Sequence, residues 1–397
     1  MGVEVTQRGF FVLADLTGYT DFLNGTRLDH AVETLRYLFN NILEQIRPPF
    51  MVSKLEGDAV FAFAPEGSLI QGQTFLDALE EIYYGYSLAW ERLKVKTDCD
   101  CNACRLTPKL DLKFAAHYGS YARQDHGEFV ELVGYDVNLV HRLLKNRITA
   151  ETGLRAYAFL TEACVQALHL GEIAEGMLEY REEFPDVGEV VGYIHDLSTI
   201  HARKSQAQTV YIPVEAAGLV VDFDLPIPSS LAWDYLSEPD FQRKWREDKL
   251  LKISGLEKGR MGVGTMLSLS PEIFQTFLPS DELVADWKPT DYFTYQCMVP
   301  SANNTRLRHL YTTELIPTED GTRVSMRFGV PEAQNPRFTW LVRLLWHIIF
   351  KHVARRGFKR SAKIIKELVQ EDIRKGKIVP DQLTATYHPV EKIRIPA

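Results

Sequence analysis

Residues 51–63, MVSKLEGDAVFAF, hold two short β-favouring runs on either side of Glu56-Gly57, a dipeptide suited to a tight hairpin. With Glu56 and Gly57 as the turn residues, Lys54 pairs with Ala59, and strand alternation sets Lys54 and Asp58 on opposite faces. Such a hairpin needs a neighbouring strand, and residues 9–16, GFFVLADL, supply an apolar run that ends at Asp15. Between them Ala31, Leu35, Leu38, Ile42 and Ile46 recur at three- and four-residue spacing, a helical pattern stopped by Pro48 and Pro49. A second helix is expected over about 72–94 and a further strand over 111–117, DLKFAAH. Strand–helix–strand–strand–helix–strand order predicts an α+β sandwich with helices packed on one sheet.

The chain has 397 residues, enough for two or three domains of roughly 150 residues. Forty-five basic against fifty-three acidic residues give a net charge of -8, which disfavours wholesale nucleic-acid binding. No targeting segment is visible at the N-terminus. Residues 338–350 are the most apolar later stretch, but they contain Arg343 and His347 and fall short of the about 20 residues of a membrane span. The expectation is a cytoplasmic protein without an integral membrane segment.

Composition changes over 199–213, where large apolar residues are few. Beyond it come a strand (GLVVDFDL), a short helix (SSLAWDYLS), several β runs to about 330 and a long helix over 336–372. That order fits a curved antiparallel sheet gripping a helix. The expected division is 1–199, a linker 200–213, a second domain 214–373, and an extended tail 374–397.

Chemistry concentrates in the first part. Asp15 is followed by LTGYT, in which Gly18 and Thr20 suit a turn near phosphates. Asp58 follows the hairpin turn, and two carboxylates at the ends of central strands can hold hard divalent cations. In GYDVNLVHRLL, residues 134–144, Asn138 and Arg142 stand four apart on one helix face, with Val137, Val140, Leu143 and Leu144 as the buried side. An amide and a guanidinium so placed suit a sugar and a phosphoryl transition state. Taken singly, these residues read as a turn cap, a hairpin residue, a strand lysine and a solvated helix face.

Together, ADLTGYT, KLEGDAVFAF and GYDVNLVHRL resemble the three signature blocks of class III nucleotidyl cyclases. FAAHYGSY, LRAYAFLTEACVQAL and GEVVGYIHDL resemble further segments of that family, and the likeness spans roughly residues 9–198. The resemblance implies a ferredoxin-like catalytic domain that cyclises a nucleoside triphosphate with two Mg²⁺ or Mn²⁺ ions per site. By position, Asp15 and Asp58 match the metal-binding aspartates, Lys54 the purine-reading lysine, Asn138 the ribose-orienting asparagine and Arg142 the transition-state arginine. Glu131 falls at the second purine-reading position and departs from the residues usual there. A lysine donor with a carboxylate acceptor complements adenine, and the same polarity fits cytosine, so ATP is the favoured substrate. In this family each site draws residues from two subunits, which implies a homodimer.

Cys99, Cys101 and Cys104, in TDCDCNACR, are three thiols within six residues. They suit a structural zinc completed by His117, His126, Asp98 or a partner chain, or else free or redox-active thiols. Cys164 and Cys297 sit in apolar patterns and read as core.

Residues 217–372 resemble the START-like helix-grip (SRPBCC) superfamily, through VDFDLPIPSSLAWDYLSEPDFQRKW, GVGT, ELIPTEDGTRVSMRF and the long final helix. That resemblance implies a cavity for an apolar ligand. Trp233, Trp245, Trp287, Trp340 and Trp346 could line it, or could simply be core. Residues 351–377 carry ten basic and three acidic residues, a local +7 that leaves -15 for the remainder. The alternative to an enzyme is a non-catalytic cyclase-fold dimerisation or nucleotide-sensing module joined to a domain that binds an apolar ligand.

Overall fold

The computed structural model describes residues 6–24, 28–46, 50–68, 72–96, 109–125, 130–185, 187–206, 209–246, 250–256, 259–269, 280–300, 306–333 and 336–378. It divides into two compact units. The first comprises Met1–Tyr211 with Ile253–Met266 and Leu283–Pro289; the second comprises Ile212–Lys252, Leu267–Glu282 and Thr290–Ala397.

In the first unit the strands are β1 (Gln7–Thr17), β2 (Met51–Glu56), β3 (Ala59–Pro65), β4 (Asp111–Asp125), β5 (Val130–Val133), β6 (Tyr157–Thr161), β7 (Leu178–Phe184) and β8 (Gly188–Asp196). The helices are α1 (Tyr19–Asn24), α2 (Leu28–Gln45), α3 (Gly72–Lys96), α4 (Tyr135–Leu143), α5 (Ile148–Thr152), α6 (Glu162–Ala167), α7 (Gly171–Ala174) and α8 (Ile200–Gln206). The sheet runs β2-β3-β1-β4-β6-β8-β7, with β5 hydrogen-bonded to β4. Neighbours are antiparallel except β4 and β6.

Strand alternation sorts β1 onto two cores. Phe10, Val12, Ala14 and Leu16 meet Leu35, Leu38 and Ile42 of α2 and Phe75, Leu79 and Ile82 of α3. Phe11 and Leu13 point the other way, to Val137, Val140 and Leu143 of α4. Burial on both faces explains why residues 9–14 read as an unbroken apolar run rather than an alternating one. Helices therefore cover both faces of this sheet, a mixed α+β arrangement.

Two sequence expectations change. The hairpin turn is Gly57-Asp58, not Glu56-Gly57, so Glu56 pairs with Ala59 and Lys54 pairs with Phe61 across a bulge between Val52 and Lys54. Gly57 has φ +63°, and the tight hairpin turns that match strand twist want a positive φ at their first central residue, where glycine is unstrained. Asp58 thus lies in the turn itself, and the opposite-face argument for Lys54 and Asp58 does not apply. The stretch expected as a linker contains α8, with Ile200 buried, Arg203 Nη2 2.6 Å from Glu80 Oε2, and Lys204 paired with Glu81.

The second sheet runs β10-β11-β12-β13-β14-β15-β9, with β16 on β14. Its strands are β9 (Leu219–Leu225), β10 (Leu250–Ser254), β11 (Met266–Leu269), β12 (Ser280–Lys288), β13 (Tyr292–Pro300), β14 (Arg306–Thr318), β15 (Gly321–Phe328) and β16 (Glu332–Ala333). Its helices are α9 (Ser229–Ser237), α10 (Pro239–Trp245), α11 (Pro336–Leu345) and α12 (Lys351–Arg374), the last two joined by a π-helical turn at Trp346–Phe350. Ala362, Ile365 and Val369 of α12 are buried, and Phe358 packs on Tyr311 and Phe328. Trp233, Trp245 and Trp346 are core residues, whereas Trp340 is 67% exposed and lines no interior. Cys164 and Cys297 are buried, and burial pushes both thiols up. The cysteine cluster 99–104 and residues 379–397 of the expected tail lie outside the described residues.

Candidate active site

Asp15 stands near the end of β1, directly opposite Ala59 of β3 and Lys113 of β4. It is 8% exposed, and Lys113 Nζ lies 3.2 Å from its Oδ2. The backbone N–H of Leu16 donates to the carbonyl of Asp58 at 3.1 Å, which ties the hairpin turn to the end of β1. Burial pushes the Asp15 carboxyl above the usual carboxylate range, Lys113 opposes this, and the charge of Asp58 adds to it. Tyr19 is raised as well, by burial and then by Asp58. Two carboxylates thus converge beside one ammonium. Hard oxygen donors whose like charges repel fit a divalent cation such as Mg²⁺ or Mn²⁺.

Gly18 follows β1 with φ +86°, and a Cβ there would stand 2.7 Å from the carbonyl oxygen of Lys109. Thr20 is exposed in the first turn of α1.

Lys54 faces the same side of the sheet as Asp15, because its cross-strand partner Phe61 and the Ala59 opposite Asp15 belong to one core with α4. Its Nζ lies 2.8 Å from Glu56 Oε1 and 3.5 Å from Glu131 Oε1 of β5. The hydrogen bond to Glu56 is the main reason its pKa stands above the usual lysine value; burial opposes, and Glu131 adds. Lys54 and Glu131, 77 positions apart, are therefore brought together.

Helix α4 carries Asn138 and Arg142 on its exposed side, while Val137, Leu139, Val140 and Leu143 are buried. Leu139 joins the buried stripe, and Leu144 packs half-buried against the same core. Arg142 Nη1 donates to the carbonyl of Pro185 at 2.7 Å. The start of α4 is pinned to β4: Asp136 Oδ2 accepts from the backbone N–H of Ser120 at 2.6 Å, and Oδ1 lies 3.4 Å from His117 Nε2. His117 Nδ1 lies 2.8 Å from Thr161 Oγ1, so both ring nitrogens of this proposed fourth zinc ligand are already engaged. His126, another such candidate, lies outside the described residues.

Three residues near this constellation escaped the sequence reading. Glu56 shares a face with Lys54 by simple alternation, a signal hidden by misplacing the turn. His141 Nε2 lies 2.8 Å from Glu56 Oε2 and its ring meets Phe61 edge-on; it adjoins Arg142, but nothing local predicts its partner. Lys113 depends on the register of β1 against β4.

Residues 35–152 match the family described as "Protein of unknown function (DUF2652)". An uncharacterised protein of Mycobacterium tuberculosis (strain ATCC 25618 / H37Rv), Rv2561/Rv2562, is 34% identical over 148 residues, which is 37% of this chain and 66% of that protein. The chain thus spans slightly less than two thirds of that relative. Among solved structures, the guanylyl cyclase Cya2 is 18% identical with a TM-score of 0.36, over 49% of this chain and 93% of Cya2. The adenylyl cyclase CyaB from P. aeruginosa is 15% identical with a TM-score of 0.33, over 48% of this chain and 96% of CyaB.

Proposed function

We propose that the first unit is a class III-type nucleotidyl cyclase domain of ferredoxin-like arrangement. It would convert a nucleoside triphosphate, ATP by preference, to the 3′,5′-cyclic nucleotide and pyrophosphate in a homodimer with two equivalent sites. The observation that carries this reading is the approach of Lys54 to Glu131, the two positions that the motif assigns to the base. Their donor and acceptor complement N1 and N6 of adenine. The antiparallel order β2-β3-β1-β4 supports the ferredoxin-like reading of the sheet.

In the reaction the 3′-oxygen forms a bond to the α-phosphorus as the bond from that phosphorus to the pyrophosphate oxygen breaks; the hydroxyl proton leaves to solvent. Asp15 and Asp58 would hold the divalent cations, whose chemistry is to favour the ionised hydroxyl and offset phosphate charge. Asn138 would orient the ribose through its amide. Arg142, one turn further along α4, would exchange its carbonyl partner at Pro185 for the phosphoryl oxygens, where charge builds in the transition state. Gly18 and Thr20 would border the phosphates.

The second unit fits a helix-grip domain in this proposal, its sheet packed on α12 through Phe358 and Ile365, with an apolar ligand as a regulatory signal. A second reading, nucleotide sensing without turnover, is favoured by the Asp15–Lys113 ion pair, which already supplies one positive charge to the carboxylates.

Incubation of the purified chain with ATP, GTP, CTP and UTP and Mg²⁺ or Mn²⁺, with products read by mass, tests both. A cyclic product that Asp58→Ala loses, by about 100-fold or more, is the expected result. Binding of a triphosphate without any cyclic product would assign the unit to sensing.

A further inference from the structure

In the second unit, the chain from Pro336 to Arg374 is one helical run with a π turn at Trp346–Phe350. Its inner side is ordinary core: Trp346 is 3% exposed and stacks on Phe328, and Ile365 and Val369 are buried further along. Its outer side is not what a solvated helix face should be. Trp340, Leu341, Leu344, Ile348 and Ile349 are all exposed, Trp340 by 67% and Ile348 by 59%. Trp340, Leu344 and Ile348 recur at four-residue spacing, and Leu341 stands three before Leu344, so these side chains form one strip. Five of the thirteen exposed large hydrophobic residues among the described residues fall within these ten positions, so the strip is a cluster rather than scatter.

Up to Lys366 this helical run carries basic side chains and no acidic one, and Arg343 Nη2 lies 3.4 Å from Oε1 of Glu332 on β16. Arg343 and His347 lie within it, and the helix continues with Arg355, Arg356 and Lys359, all exposed. Residues 351–377 carry a local +7 while the rest of the chain carries -15. From Trp340 to Ile348 the strip is about 12 Å long at helical rise, too short to cross a bilayer and well matched to lying in its surface. Tryptophan favours the boundary between headgroups and acyl chains, and arginine and lysine beside an apolar strip favour anionic lipid phosphates.

We propose that this helix face docks the protein on an anionic lipid bilayer, with Trp340, Leu341, Leu344 and Ile348 inserted at the headgroup boundary and Arg355, Arg356 and Lys359 on the lipid phosphates. A second copy of the chain is the poorer occupant: a parallel pairing of the two strips would set two +7 segments side by side, where like charges repel, and an antiparallel one would leave the basic residues beside the strip without an anionic partner on it.

The test uses the full-length chain in a vesicle flotation assay, with phosphatidylcholine alone or with roughly one-third phosphatidylserine. The expected result is at least about tenfold stronger partition to the anionic vesicles, weakened by high salt. The triple substitution Trp340→Ser, Leu344→Ser, Ile348→Ser should cost about tenfold or more of that partition, and Arg355→Gln, Arg356→Gln, Lys359→Gln should abolish the preference for anionic vesicles. Trp340→Phe, which keeps the apolar surface, should retain binding and lose fluorescence quenching by brominated lipid, a readout independent of the folding of the triple variants. Equal partition to both vesicle types, absence of partition, or quenching unchanged in Trp340→Phe would overturn the proposal. So would lipid-free self-association, measured by sedimentation equilibrium, that the apolar triple substitution removes; the strip would then belong to a second copy.

Discussion

Lys113 Nζ lies 3.2 Å from Asp15 Oδ2 across the β1–β4 pairing, and the same ammonium donates to the carbonyl of Leu144 at 3.1 Å. One side chain therefore neutralises the buried carboxylate and ties it to the residue that ends α4. Lys113→Met keeps the length of the side chain and removes the charge. The expected loss is about 1–3 kcal/mol of stability, because Asp15 is left buried beside Asp58 with no counter-charge. Millimolar Mg²⁺ should then raise the melting temperature more in Lys113→Met than in wild type, since a cation would replace the missing ammonium. Equal Mg²⁺ shifts in differential scanning fluorimetry would show that the carboxylates do not bind the ion.

Gly119 controls the placement of α4. A Cβ at this position on β4 would overlap the Asp136 side chain, which is fixed by the N–H of Ser120 and lies beside His117. Asp136 stands two residues before Asn138 and six before Arg142, so a shift that relieves the overlap moves both. Gly119→Ala should cost about 1–3 kcal/mol, and turnover measured at a temperature where the variant is folded should fall as well. Stability loss with unchanged turnover would separate α4 from the reaction.

The elements that the sequence made legible are those set by local pattern. The exposed Asn138 and Arg142 and most of the apolar stripe behind them follow from helical spacing alone, and the apolar run that ends at Asp15 announced a buried strand. Lys113 needed information that no local window holds: it meets Asp15 only through the register of strands about a hundred residues apart. Glu56 stands two residues from Lys54 on one strand face, a local signal that a turn set at Glu56-Gly57 instead of Gly57-Asp58 conceals. The exposed strip at Trp340 was hidden for another reason: its spacing is that of a core helix, and periodicity reports that a helix has an apolar face without saying what covers it.

A buried ion network in the first unit supplies a stability prediction. Glu80 is 2% exposed and receives Arg203 Nη2 at 2.6 Å, Arg260 Nη1 at 2.7 Å and His195 Nε2 at 2.9 Å, while Arg260 also pairs with Asp77. Burial alone would raise the Glu80 carboxyl, yet Arg260, His195 and Lys204 together hold it well below the usual range. Arg260→Met removes the cation that bridges Asp77 and Glu80 and leaves Glu80 with Arg203 and His195, at an expected cost of about 3–5 kcal/mol. Arg260→Lys keeps the charge but not the planar fork and should lose less. Chemical denaturation of the three proteins checks the order wild type, Arg260→Lys, Arg260→Met.

His117 makes stability depend on pH in a defined direction. Burial pushes its pKa below the ordinary 6.5, and the hydrogen bond and charge of Asp136 only partly oppose this. Thr161 Oγ1 already accepts the N–H of Cys164, which leaves its hydroxyl proton for Nδ1; the neutral ring then carries its own proton on Nε2, towards Asp136. With the folded pKa below the unfolded one, the unfolded chain binds the proton first. The contribution is therefore fully present above about pH 6.5 and is lost as pH falls from there through the folded value. Melting temperatures of wild type and His117→Gln, compared from about pH 8 to pH 5, should converge on acidification, since glutamine does not titrate. Parallel curves across that range would mean that His117 keeps the same affinity for protons in both states, and the neutral ring between Thr161 and Asp136 would have to be given up.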